Sequence, residues 1–203
     1  MTIADVPVGT PEWWDARYAI GDTPWDTGIV PPEVIALVAG GKLRPGWALD
    51  LGCGSGVTSR YLAQHGFRVI GVDLALRALA RGHRAAAAAG LAAYFCLGDV
   101  ADLGFLRVRA TLAIDIGCFH SIPLDRRPLY VASLAAHLWP GAFYLLYAFE
   151  PTTVEGTPRP GVGPDDLARF APAFALRWTG HGLDRDRPAA WYLWQRTNAD
   201  GDY

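Results

Sequence analysis

Three glycines at alternate positions, Gly52, Gly54 and Gly56, follow an apolar run in LDLGCGSG (residues 49–56), and Asp50 stands two positions before the first of them. Two further aspartates occupy comparable places, Asp73 at the close of VIGVD and Asp99 in LGDV. A glycine turn of this kind lets a ligand approach the bare backbone closely. The dinucleotide fingerprint G-x-G-x-x-G sets its third glycine inside the helix and seats a pyrophosphate on the helix N-terminus. Here the spacing is G-x-G-x-G with a carboxylate in front. A carboxylate repels pyrophosphate and attracts an ammonium, so the turn suits a ligand that is cationic where a dinucleotide carries phosphates. Asp73 is then placed for ribose hydroxyls, as an acid in that position is in nucleotide folds, and Asp99 for an adenine amino group. A tight turn between strand and helix also needs glycine with no ligand at all. The three aspartates at successive strand ends are what argue for one.

The elements that hold these residues alternate from residue 47 onward. Short apolar runs at 47–50, 68–72, 93–97, 111–115, 142–149, 173–179 and 190–196 read as strands, and 57–65, 74–89, 126–138 and 165–170 as helices. That alternation predicts an α/β fold, a parallel sheet with helices on both faces, whose ligands bind at the carboxyl ends of the strands. The last two runs are joined by GHGLDRDRPA, too short for a crossover helix, so they are expected to pair antiparallel. Ahead of this core, residues 1–46 form an N-terminal helical segment of the same domain, with a short helix, a Gly/Pro loop and a second helix from 32 to about 38. The core itself is assigned to 47–203.

Taken together, LDLGCGSG, VIGVDLA, LGDV and AIDIGCFHSI resemble the four successive motifs of the class I S-adenosylmethionine-dependent methyltransferases. The resemblance is firm over about residues 47–150 and implies a single Rossmann-like three-layer domain. Its sheet would have seven mostly parallel strands, the last antiparallel, with a helical lid before them. It implies S-adenosylmethionine as cofactor, held by Asp50, Gly52, Cys53, Gly54, Gly56, Asp73, Leu74, Gly98, Asp99, Val100, Asp115 and Gly117. The aromatic segment WWDARYAIGDTPWDTG (residues 13–28) is similar to the N-terminal region of the thiopurine, thiol and tellurite methyltransferases, where it closes over cofactor and substrate.

On the acceptor side, Tyr18 and Trp25 are expected against the sulfonium or its substrate, because aromatic faces attract cations and exclude water. Trp13 and Trp14 are expected to staple their helix onto the sheet edge instead. Phe119 and His120 follow the fourth strand; His120 is the candidate general base, or else a ring bonded within its turn. The stretch 150–167, rich in Pro, Gly and Thr, reads as a lid whose Arg159 either meets an anionic substrate or is a solvated loop charge. The Asn- or Asp-Pro-Pro-aromatic motif of enzymes that methylate amino groups on DNA bases is absent, and only Glu150 resembles a metal-binding acid of the catechol-type enzymes. No metal is expected.

Composition narrows the partners. Eighteen Lys and Arg against 20 Asp and Glu, scattered along the chain, leave no basic stripe for nucleic acid. Apolar stretches are broken well short of the roughly 20 residues of a membrane span. The N-terminus lacks the basic start and apolar core of a secretory signal, so the cytoplasm is the expected location, for a monomer or weak homodimer. Cys53, Cys96 and Cys118 fit neither a disulfide framework nor a zinc site. The expected reaction is methylation of a small molecule, at sulfur or a related soft nucleophile before oxygen. A non-catalytic protein that holds the same cofactor is the competing class, and a nicotinamide-dependent oxidoreductase, disfavoured by the glycine spacing and Asp50, is another.

Overall fold

The computed structural model describes residues 5–198, so the first four residues of the N-terminal segment and the last five assigned to the core lie outside the described residues. Two compact units divide the chain after Val100. The sheet is seven-stranded and mostly parallel, with the last strand antiparallel.

The first unit opens with α1 (Pro11–Ile20). Thr10 caps it by accepting from the Trp13 N–H, Pro11 fits the first turn, and Gly21 ends it in the left-handed conformation. After α2 (Pro32–Ala39) come β1 (Trp47–Leu51), α3 (Val57–Gln64), β2 (Arg68–Asp73), α4 (Leu76–Ala88) and β3 (Ala93–Leu97). The strands lie in the order β3-β2-β1 and pair parallel, Leu49 opposite Ile70 and Ile70 opposite Tyr94. Ala78, Leu79, Gly82 and Ala86 recur at helical spacing and form the buried face of α4. Trp14 packs against Tyr18, Ala75 and Ala78, so it fastens α1 to the start of α4.

The second unit contains β4 (Ala110–Ile116), a one-turn 3-10 helix (Phe119–Ser121), α5 (Arg127–Ala136), β5 (Leu138–Phe149), β6 (Thr152–Val154), β7 (Thr157–Arg159), α6 (Pro164–Ala168), β8 (Phe174–Asp184) and β9 (Arg187–Arg196). The strand order is β4-β5-β9-β8. β4 and β5 are parallel, and β9 is antiparallel to both β5 and β8. The expected loop GHGLDRDRPA is mostly strand. Arg185 and Asp186, both at positive φ (49° and 64°), make a two-residue turn whose twist lets the ladder run to Asp184 and Arg187. The expected lid at 150–167 also has structure of its own, the β6–β7 hairpin and the start of α6.

Candidate functional site

In the first unit the three glycines of the turn all have positive φ, 69°, 53° and 73°. Two different pressures keep them as glycine. A Cβ on Gly56 would run into the ring of Phe95, which also fills the space above Gly82 and, behind the Cys53 side chain, borders Gly71, so Gly56 serves packing between turn and sheet. Gly54 differs, since a Cβ there would stand 2.6 Å from the Tyr18 hydroxyl at the edge of the turn.

The N–H groups of the three glycines and of Cys53 are bonded within the fold. The N–H groups of Gly52 and Cys53 donate to the Val72 carbonyl, that of Gly56 to the Cys53 carbonyl, and that of Gly54 to Oδ2 of Asp73 at 2.8 Å. A dinucleotide turn instead aims its N–H groups at the pyrophosphate. Here the loop presents carboxylate where such a fold presents N–H.

Asp50 is 3% exposed and accepts from the Ser59 hydroxyl at 2.6 Å. Burial pushes its pKa up to about 6, against the lowering effect of that bond. Asp73 caps the turn with both oxygens, Oδ1 taking the Ala75 N–H at 2.8 Å. Burial raises its pKa, and the N–H bonds oppose the rise. Each carboxylate oxygen has a second lone pair, so Asp73 retains acceptor capacity for a hydroxyl. Asp99 and Gly98 follow β3, where the Gly98 N–H donates to the Asp73 carbonyl. Leu74 and Gly98 line an open cleft of about 550 Å³ with Pro11, Ala16, Leu97 and Arg77. Val100 is buried.

Sequence reasoning missed Asp26. It accepts from the Ser55 hydroxyl at 2.7 Å and so ties the PWD turn to the glycine turn; an acid inside an aromatic-rich cover was its one signal. Trp25 is 43% exposed, stands edge-on to Trp14 and Tyr18, and donates from Nε1 to the Tyr18 hydroxyl at 3.2 Å. Tyr18 departs from expectation. Its ring is 2% exposed, so Tyr18 is a core residue that brings only its hydroxyl to Gly54, while burial holds that hydroxyl strongly protonated. These residues fit S-adenosylmethionine. They supply carboxylates for an ammonium and a ribose, glycines whose N–H groups are already bonded, and a half-exposed indole beside them.

In the second unit several expected site residues prove to be structural. Asp115 is fully buried, and its carboxylate accepts from the N–H groups of Cys118 and Phe119 and from the Tyr130 hydroxyl at 2.6 Å. Tyr130 in turn meets the Tyr144 hydroxyl at 2.9 Å, and burial raises both tyrosines' pKa values. Asp115 thus caps its own strand end rather than presenting a carboxylate to a ligand. Phe119, expected beside the substrate, is likewise fully buried, against Tyr130 and Phe170. Gly117, at φ 86°, turns the chain out of β4.

His120 is placed differently from a general base. Its Nδ1 accepts the Phe149 N–H at 3.2 Å, which puts the ring proton on Nε2, and a ring in that tautomer donates at its free edge. Burial, then the charges of Arg187 and Arg127, lower its pKa to about 4. Arg127, unremarked in the sequence, is the organiser of this region. It donates to the carbonyls of His120, Ile122 and Gly161 and pairs with Asp166, holding together the turn after β4 and the start of α6. Arg159 lies exposed at the end of β7. Glu150 pairs with His181 at 3.1 Å. Among the described residues no three His, Cys, Asp or Glu side chains gather as metal ligands, and no helix is long and apolar enough to cross a membrane.

Residues 48–141 match the family described as a methyltransferase domain. The chain is 32% identical over 183 residues to the 2-heptyl-1-hydroxyquinolin-4(1H)-one methyltransferase of Mycobacteroides abscessus, covering 88% of this chain and 75% of that one. It is 28% identical over 137 residues to the probable thiol methyltransferase 2 of Arabidopsis thaliana, covering 67% of this chain and 61% of that one. A solved structure concerned with the conversion of a disulfide bond into a thioacetal group during echinomycin biosynthesis superposes with a TM-score of 0.78 at 26% identity, over 95% of this chain and 94% of that one.

Proposed function

The chain belongs to the class I S-adenosylmethionine-dependent methyltransferases, and from that premise we propose that it methylates a small molecule at sulfur or a comparable soft nucleophile. S-adenosylmethionine is the cofactor. The observation that carries our reading of its site is the placing of Asp50 and Asp73 at the glycine turn, where Asp73 takes the Gly54 N–H and both carboxylates supply negative charge. In this reading Asp50 answers the cofactor's ammonium, Asp73 the ribose, and Asp99 with the Leu74–Gly98 cleft the adenine.

When bound, the cofactor supplies an electrophilic methyl group on sulfonium. The protein's part is positioning and exclusion of water, which together account for several kcal/mol of such a barrier. Trp25, held by Tyr18 and Trp14, is the cover over that chemistry. Sulfur is favoured by the N-terminal aromatic segment and by the names of the thiol and thioacetal relatives. Oxygen is the second reading, favoured by the hydroxyquinolinone relative.

The test is calorimetry with S-adenosylmethionine and its demethylated product, then a screen of small thiols, phenols, halides and metalloid oxyanions with labelled methyl donor. Binding of both cofactor forms and transfer to thiols above phenols is the expected result. Binding of NADH in place of either form would overturn the assignment of the turn.

A further inference from the structure

The β5–β9–β8 ladder of the second unit carries a feature that methyl transfer from a sulfonium does not by itself require. Residues two apart on a strand share a face, so Tyr147 and Phe149 lie with Trp191, Ala189 and Arg187, and with Gly180 and Gly182 of β8. Tyr147 meets Trp191 at 4.9 Å between ring centroids and Phe149 at 6.0 Å, and the His120 ring lies 4.9 Å from that of Phe149. The Tyr147 hydroxyl donates to Asp184 at 2.8 Å, which fixes the ring. A Cβ on Gly182 would meet nothing within 4 Å. The result is an aromatic floor with open space beside it at Gly182, while the Trp178 ring covers Gly180.

Arg187 stands at the end of this floor, its guanidinium 4.1 Å from the Phe149 centroid. It donates to the Pro160 carbonyl, yet its Nε is enclosed without an acceptor, and among the described residues no carboxylate pairs with it. The contrast within the same unit is Arg127, whose burial is matched by Asp166. A half-buried guanidinium is ordinarily matched by an anion. The charged and titratable groups that act on Arg187 and its floor are Arg159, Tyr147 and His120, with Asp184 and Arg185 acting on Tyr147 and Arg127 on His120; Asp184 is opposite Arg187 in the ladder and is engaged by the Tyr147 hydroxyl. Arg159 is a second cation with no ion pair among the described residues, Tyr147 is already bonded to Asp184, and His120 is neutral near pH 7. Among the described residues no ion pair cancels the charge of Arg187, and Asp184 is held by Tyr147 instead.

We propose that Arg187, with Arg159 beside it, is the counter-charge for an aromatic acceptor that binds as a preformed thiolate or oxyanion, its ring laid on Phe149, Tyr147 and Trp191. The inference rests on the methyl-transfer reading and deepens it. The acceptor's lone pair forms the bond to the methyl carbon as the bond from carbon to sulfonium breaks and its electron pair stays on sulfur. Both products are neutral at the reacting atoms and no proton moves in that step. A ring such as His120, with Nδ1 already occupied, then has no proton to take.

The test uses 4-nitrophenol, whose ionised form has its own visible absorbance, titrated with the full chain in the presence and absence of S-adenosylhomocysteine. The bound probe should ionise about one pH unit lower than the free probe, equivalent to roughly tenfold tighter binding of the anion. Arg187→Met should abolish the shift and Arg187→Lys retain part of it. Arg159→Met, at an exposed position that folding tolerates, should reduce it. With aromatic thiols and phenols of graded acidity, the rising limb of kcat/KM against pH should move with each acceptor's own pKa. Failure of the probe to bind, a bound probe that ionises where the free one does, or a rising limb fixed at one pH for every acceptor would overturn the proposal. Calorimetry showing that S-adenosylhomocysteine does not bind would instead strike the cofactor reading, and the titration without it still judges Arg187.

Discussion

Asp50→Asn should make the protein more stable at neutral pH and a poorer binder of its cofactor. In the folded chain the carboxyl ionises at about 6 instead of 3.8, chiefly because it is buried. A raised folded pKa means that the protonated carboxyl contributes fully below 3.8, and that this contribution is lost as pH rises to about 6. The difference, 6 − 3.8, is about 2 pH units, or roughly 3 kcal/mol of destabilisation above pH 6. Asparagine removes that penalty, which is already net of the opposing bond from Ser59. A gain of up to about 3 kcal/mol should therefore appear in urea unfolding at pH 7.5, decline from pH 6, and vanish near pH 4. Calorimetry on the same preparation should show S-adenosylmethionine bound about 10- to 100-fold more weakly, because a neutral amide no longer answers the ammonium. Wild-type and variant stabilities that run parallel from pH 4 to 7.5 would refute the buried, proton-coupled carboxyl. An unchanged cofactor affinity would refute its role in binding.

Asp73→Ala should weaken S-adenosylmethionine by about 1.5 to 3 kcal/mol. Because Asp73 also caps the glycine turn through Gly54 and Ala75, the informative measurement is a cycle with a 2′-deoxy cofactor analogue, and equal losses with both ligands would mean that the carboxylate serves only the turn. Trp25→Ala should lower turnover by about one to two orders of magnitude through lost positioning, with a change in melting temperature of only a few degrees, since the indole is half exposed. A large fall in melting temperature with turnover per folded molecule intact would assign Trp25 to packing instead. Arg127→Met should destabilise by about 2 to 4 kcal/mol by leaving buried Asp166 to the more exposed Arg169 and the Gly163 N–H, and adding Asp166→Leu should recover part of that in denaturant unfolding; a double variant less stable than the single one would contradict the pairing argument.

What the sequence determined by itself was local. The strand at Ala93–Leu97 and the starts of those at Trp47 and Arg68 follow from apolar runs closed by turn residues, and the helix at Pro11 from Thr10 before it and Gly21 after it. The GxGxG turn with Asp50 and Asp73 pointed to the cofactor because its chemistry lies within about 25 consecutive residues. The acceptor side was decided by tertiary structure alone. That Phe95 demands glycine at 56 and 82, that Asp26 reaches Ser55, and that Tyr18 is sealed while Trp25 is half open depend on residues brought together from distant positions. His120 looked like a base on its type and place, and lost that role when the N–H of Phe149, 29 positions on, took its Nδ1. Arg127 and Arg187 read identically in the sequence as scattered cations. One is folded against Asp166 and the other onto Phe149 with no paired carboxylate among the described residues, and what a side chain's charge can do is set only by the partners that the fold places beside it.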